Sequence, residues 1–235
     1  MSQSTLSAAL LLTVLAGCTA ATPNSRSRLA LGNFDAGLPV ASMLERRFAT
    51  VIRQQYDFSC GSAALATLLS FHHGRNVNEQ AAFLGMWNDG DQSAIRRAGF
   101  SLLDMKRYLA ANGMPANGYQ VSIAQIAAAR RPGIALIQTG AYKHFVVLKG
   151  YENDLAGGTV LLGDPATGLR RMNADAFVKS WNGVLFIIES GGSEVEATFA
   201  RKDELALAPG GRVMLEMEPV SQAALALTRP TLGDI

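Results

Sequence analysis

The chain has 235 residues, with 21 Lys+Arg against 19 Asp+Glu, 49% hydrophobic residues and 17% charged ones. That is enough apolar side chain for a packed core and too little charge for a disordered chain, and the length predicts one or two domains. A net charge of +2 with both signs scattered leaves no basic stripe for a nucleic acid, and two cysteines exclude a disulfide-rich scaffold.

At the front, residues 6–16 form an apolar stretch with the length of a signal h-region, and small residues (Ala16, Gly17) precede Cys18. It is too short to span a bilayer. Leu15-Ala16-Gly17-Cys18 resembles the lipobox of bacterial lipoproteins. The resemblance implies a signal peptide over residues 1–17, a lipid on the Cys18 thiol, and a polar tether over residues 18–36 that holds the chain to a membrane. It also implies a place in the cell envelope, facing the periplasm. Thr19, where an Asp would suggest inner-membrane retention, points to the outer membrane. Residues 1–5 carry no Lys or Arg, a departure from the lipoprotein pattern. Lipidation of Cys18 would leave Cys60 as the one thiol of the mature chain, either buried and inert or chemically useful.

Imperfect alternation over residues 38–51 (Val40, Met43, Leu44, Phe48, Val51) predicts one or two short strands. Residues 60–73 predict a helix whose apolar face is Ala64, Leu65, Leu68, Leu69 and Phe71, with Gly74 as its C-terminal cap. A shorter helix follows over residues 77–87. Ser101 with Asp104, and Ser122 with Gln125, are capping boxes that open two more helices, stopped at Asn112-Gly113 and Pro132-Gly133. The texture then changes. Residues 134–138, 144–148, 159–162 and 184–188 are short runs of Val, Ile and Leu separated by turn signals, which predict strands of one sheet. Asn173 caps a brief helix through Trp181. Helices first and strands afterwards predict an α+β domain. Residues 213–218 predict a strand and 221–227 a helical turn. The Gly-Gly pairs at 157–158, 191–192 and 210–211 read as turn formers, and Trp87 and Trp181 as core or groove-wall residues.

The densest signal is Gln54-Gln55-Tyr56-Asp57-Phe58-Ser59-Cys60-Gly61-Ser62. A cysteine in the first turn of a helix meets free backbone N–H groups and the positive end of the dipole, which favour a thiolate. The small residues Gly61 and Ser62 would let a carbonyl approach, and an upstream amide could join the Cys60 N–H around an oxyanion. A base is needed. His72 and His73 end the same helix, ~18 Å from Cys60 at ~1.5 Å per residue, and read as exposed residues that complement the dipole. His144 is then the histidine able to reach Cys60 through tertiary folding. Asp164 ends the next strand, and adjacent antiparallel strands would set its carboxylate beside the imidazole.

Gln54 six positions before Cys60, the Cys-Gly helix start, His144-Phe145-Val146-Val147-Leu148 and Gly163-Asp164-Pro165 together resemble the bacteriocin-processing, double-glycine cysteine peptidases, family thirty-nine of the papain-like peptidases. The match is closest to stand-alone bacterial members and covers about residues 47–189. It implies a papain-like peptidase domain over residues 37–190, with helices packed on an antiparallel sheet, and an extension of unassigned role over residues 191–235. It also implies roles: Cys60 as nucleophile, His144 as base and then acid, Asp164 as its orienter, Gln54 as oxyanion donor, and no metal or organic cofactor. The substrate implied is a polypeptide, and one relative accompanies a functional-amyloid secretion system, which suggests a secretion-linked partner. The best-known members are domains of cytoplasmic ABC transporters that cut leader peptides. This sequence has no ATP-binding motif and an export-type front, so its substrate need not carry a double-glycine leader. A non-cleaving peptide-binding module of the same fold, or an acyltransferase, are the competing expectations.

Overall fold

The computed structural model describes residues 26–31, 34–39 and 42–209, apart from 141 and 155–156, in two compact units divided after Ser42. In the first unit, β1 (Arg26–Leu31) pairs antiparallel with β2 (Phe34–Pro39), from Arg26 opposite Pro39 to Leu31 opposite Phe34. The hairpin falls largely within the stretch expected to be a tether. Cys18 and the expected elements at 213–218 and 221–227 lie outside the described residues.

The second unit opens with α1 (Met43–Arg47), where the sequence predicts strand. Leu44 and Phe48 are in helical spacing, and the Phe48 N–H donates to the Leu44 carbonyl at 3.2 Å. Met43 and Leu44 stay exposed, so no buried face selects an extended register here. Next comes α2 (Cys60–His72), which is buried on every side from Gly61 to Leu69 rather than along one stripe. That explains its near-continuous run of Ala and Leu. Leu65, Leu68 and Leu69 are fully buried, each contributing roughly 1.5–3 kcal/mol by leaving water. Gly74 follows the helix at φ +61°, a conformation that costs little without a Cβ.

Around α2 lie α3 (Glu79–Asp89), α4 (Gln92–Ala98) and α5 (Leu102–Ala111). The Ser101/Asp104 capping box forms as the sequence predicts, and so does that of Ser122/Gln125 at α6 (Ile123–Ala129). The α4 helix escapes the periodicity because it is seven residues long with one buried residue, Ile95.

The sheet contains β3 (Ala116–Gln120), β4 (Gly133–Thr139), β5 (Tyr142–Glu152), β6 (Thr159–Asp164), β7 (Gly168–Asn173) and β8 (Trp181–Ile188). Their order is β3-β8-β4-β5-β6-β7, every neighbouring pair antiparallel. Between β7 and β8 runs α7 (Ala174–Ser180), capped by the Asn173 side chain. Helices followed by an antiparallel sheet is the α+β, papain-like arrangement expected. Two apolar clusters form the body: one joins α2, α3 and α5 to the sheet, and the other includes Ile126, Val146, Phe177 and Trp181.

Beyond residue 190 the chain continues as part of this unit. The helices α8 (Gly192–Ala197) and α9 (Lys202–Leu207) bury Val195, Phe199 and Leu205. Glu204 of α9 pairs with Lys149 of β5 at 2.8 Å, both side chains fully buried. The expected boundary at 190 therefore divides no structure over residues 191–209. This segment also corrects the reading of the helix-end histidines. His72 is buried, its Nδ1 lying 2.7 Å from Thr198 Oγ1, and His73 is half-buried.

Candidate active site

Two neighbouring strands carry the first pair of polar groups. Val147 of β5 lies opposite Gly163 of β6, so the start of β5 meets the end of β6. His144 and Asp164 occupy those ends, with His144 Nε2 3.2 Å from Asp164 Oδ2. Both are buried, at 8% and 3% exposure. Asp164 Oδ1 accepts from the N–H groups of Ala166 and Thr167 at 2.9 and 3.3 Å, closing the turn into β7. Its Oδ2 is shared with Arg170, whose Nε lies 3.0 Å away. Burial pushes the Asp164 carboxyl up, but the His144 hydrogen bond and charge, the Ala166 N–H and Arg170 outweigh it and hold the group below its ordinary 3.8. Asp164 is thus a fixed anion with both oxygens committed.

Cys60 is the first residue of α2 and reaches the same place from the helical side. The backbone N–H groups of Phe145, the residue after His144, and of Gly61 favour its thiolate form. Burial is nevertheless the largest influence on the thiol. Together with the negative charge of Asp164 it outweighs those donors and raises the thiol above its ordinary 9.0. The helix start alone therefore does not produce the thiolate that the sequence argument favours, and a base is required. Gly61 and Ser62 also differ from expectation. A Cβ on Gly61 would come within 3.0 Å of Met105 Cε and Phe100 Cβ, and the buried Ser62 hydroxyl donates to the Ser59 carbonyl at 2.9 Å. Their small size serves packing inside the domain rather than approach of a substrate.

Of the two adjacent glutamines, Gln54 is the one attached to the site. Its backbone N–H donates to the Pro165 carbonyl at 3.0 Å, directly after Asp164. Its side chain is half-buried, with Nε2 donating to the Tyr56 carbonyl at 3.1 Å and Oε1 buried without a hydrogen-bond partner among the described residues. Gln55 is exposed. Its backbone N–H donates to both oxygens of Glu79 at 3.1 Å.

The structure thus gathers Cys60, His144, Asp164 and Gln54 from α2, β5, β6 and the loop before α2. His72 and His73 lie at the far end of α2 and take no part. Burial, with the Lys149 charge and His73, lowers His72 well below 6.5. His73 is lowered to about 4, mainly by burial. Sequence reasoning missed Arg170 because β7 was not recognised, its Leu169-Arg170-Arg171-Met172 having no strict alternation. The available signal was the turn: Asp164-Pro165-Ala166-Thr167-Gly168 after a strand is a hairpin connection, and Gly168 sits at φ +82°. Glu79 was also missed, having been read only as part of a helix start.

A half-buried thiol at a helix start, together with a buried histidine–carboxylate pair on two neighbouring strands, is the set of groups a cysteine peptidase uses. The sequence matches the Peptidase C39 family model over residues 49–193, and the chain belongs to that family. It is 45% identical over 149 residues to "Probable functional amyloid protease FapD" of Pseudomonas aeruginosa, covering 63% of this chain and 64% of the relative. The corresponding protein of Pseudomonas fluorescens is 42% identical over the same length. The match thus spans somewhat less than two thirds of these relatives. The peptidase domain of Streptococcus ComA, a bi-functional ABC transporter, superposes with a TM-score of 0.49 and 20% identity, covering 59% of this chain and 96% of that one.

Proposed function

We propose that Cys60 is the nucleophile, His144 the general base and then acid, Asp164 its orienter and Gln54 an oxyanion donor in hydrolysis of an exported or secretion-linked polypeptide. The observation that carries this is the His144–Asp164 pair at 3.2 Å on β5 and β6, with Cys60 at the start of α2. His144 takes the Cys60 proton, and the thiolate attacks the scissile carbonyl. The oxyanion is held by the Cys60 N–H and the Gln54 amide, which must leave the Tyr56 carbonyl to reach it. The imidazolium then protonates the leaving amine. In the second half-reaction His144 deprotonates water, which releases the acyl group and restores the thiol. Asp164 stabilises the imidazolium and fixes the tautomer that presents Nδ1 to the thiol. The names of the Pseudomonas relatives support a functional-amyloid component as substrate. Leu15-Ala16-Gly17-Cys18 supports lipid anchoring through Cys18, facing the periplasm.

The test is a comparison of protein N-termini in cell envelopes that contain either the wild type or Cys60→Ala. Peptidase action predicts new N-termini in the wild type alone. Identical sets, with the variant still supporting secretion, would replace this reading with the non-cleaving binding module. Metabolic labelling with an alkyne fatty acid, lost in Cys18→Ala, tests the anchor.

A further inference from the structure

The loop between Gln54 and Cys60 carries both groups assigned to the oxyanion, and one buried carboxylate closes it at both ends. Glu79, the first residue of α3, is 4% exposed. Both of its oxygens accept from the Gln55 N–H at 3.1 Å, and Oε1 also accepts from the Ser59 hydroxyl. Gln55 directly follows Gln54, and Ser59 directly precedes Cys60. No ion pair of Glu79 forms among the described residues, so this buried anion is spent on the loop. A carboxylate placed so costs desolvation that a neutral side chain would avoid.

Ser59 adds a second, independent observation. It occupies the N-cap of α2, where a serine normally accepts from an N–H of the first turn. Here its side chain makes no capping bond. Its hydroxyl instead meets Glu79 and the Tyr56 carbonyl and accepts from the Tyr56 N–H at 3.1 Å. No side chain at the cap thereby takes the first-turn donors of α2, which stay available to the Cys60 thiolate and to an incoming oxyanion. A capped helix would have consumed one of them.

We infer that Glu79 is a positioning residue of the peptidase: it locks the Gln54–Cys60 loop in the register that brings the Gln54 amide and the Cys60 N–H onto one oxyanion, and it holds the Ser59 hydroxyl off the helix start. The inference rests on the proposed roles of Cys60 and Gln54.

Two reagents separate the geometry of the loop from the nucleophile. Iodoacetamide alkylates the thiolate and develops no oxyanion. p-Nitrophenyl acetate acylates it: sulfur bonds to the acetyl carbon, the ester C–O bond breaks, and p-nitrophenolate leaves through a tetrahedral oxyanion. Both rates are read on the full chain at Cys60, for the wild type, Glu79→Ala and Glu79→Gln, with circular dichroism of each. In folded Glu79→Ala, acylation falls about tenfold or more beyond any fall in alkylation. Glu79→Gln, which keeps an acceptor for the Gln55 N–H and the Ser59 hydroxyl, recovers to within about threefold of wild type. Equal falls in the two rates, or no fall, overturn the inference. If Glu79→Ala does not fold, Glu79→Gln and Ser59→Ala decide it: an acylation-to-alkylation ratio at the wild-type value in both overturns it. A wild type that is alkylated and never acylated at Cys60 defeats the peptidase reading itself and is thereby distinguished from failure of Glu79 alone.

Discussion

Replacement of Glu204 by alanine removes one half of the buried pair that holds α9 to the sheet. Lys149 Nζ lies 2.8 Å from Glu204 Oε1, donates to the Thr50 carbonyl at 2.8 Å and Oγ1 at 3.3 Å, and sits 5.2 Å from the centre of the Phe71 ring. Thr50, Phe71 and the ring face do not replace the lost anion, so Glu204→Ala strands a buried charge at a cost of about 3–5 kcal/mol. Burial already lowers the Lys149 ammonium despite Glu204, so in the variant the lysine can shed its proton, which caps the cost. At ~2–4 °C per kcal/mol for a unit of this size, the melting temperature falls by about 6–20 °C. The Glu204 oxygens have no conventional hydrogen bond among the described residues, so the wild-type pair is incompletely solvated. A Lys149→Met/Glu204→Leu double variant should therefore regain most or all of the loss. Thermal melts followed by circular dichroism at neutral pH measure both. A Glu204→Ala melt within ~2 °C of wild type, or a double variant less stable than the single one, would refute the reasoning.

Asp164→Asn keeps an Oδ1 acceptor for the turn N–H groups of Ala166 and Thr167 but sets an amide against His144 and Arg170; acylation of Cys60 by p-nitrophenyl acetate should fall at least about tenfold. The folded-state Asp164 carboxyl is lowered below 3.8, so its contribution is present above that value and lost as pH falls through the folded value. The wild type's advantage over Asp164→Asn in urea unfolding should accordingly shrink in that acid range. Gln54→Ala should reduce acylation by about 10²–10³-fold while iodoacetamide alkylation changes little, since alkylation develops no oxyanion. Both helix-end histidines are lowered from 6.5, His73 to about 4, so the unfolded chain binds their protons first and stability is lost as pH falls below 6.5. The His72 share of that loss should appear in denaturant titrations as pH falls from 7 to 5, and His72→Gln should flatten it.

Much of the site was legible because chemistry restricts it to few residue types. A thiol at a helix start and a strand histidine followed by a strand-ending aspartate leave little choice of partners. The capping boxes at Ser101 and Ser122 were legible for a local reason: donor and acceptor lie three residues apart and meet as soon as the first turn forms. Short elements were harder. Helix α4 and strand β7 bury too few residues for a period to emerge, and residues 43–47 form a helix because their apolar side chains remain in solvent and impose no extended register.

What the sequence determined by itself was the order of helices before strands, the Cys60 helix start, and the pairing of His144 with Asp164. Local periodicity and the reach of one strand connection encode each of these. What only the tertiary structure decided was how these groups are supported. Arg170 reaches Asp164 across a hairpin, Glu79 ties down a loop 24 residues away from it at Gln55, and α8 and α9 bury His72 and Lys149. Such contacts join residues distant in the chain, and no local pattern records them. Burial acts on the chemistry as well: a helix start favours a thiolate, yet the packing around Cys60 raises its thiol above the ordinary 9.0.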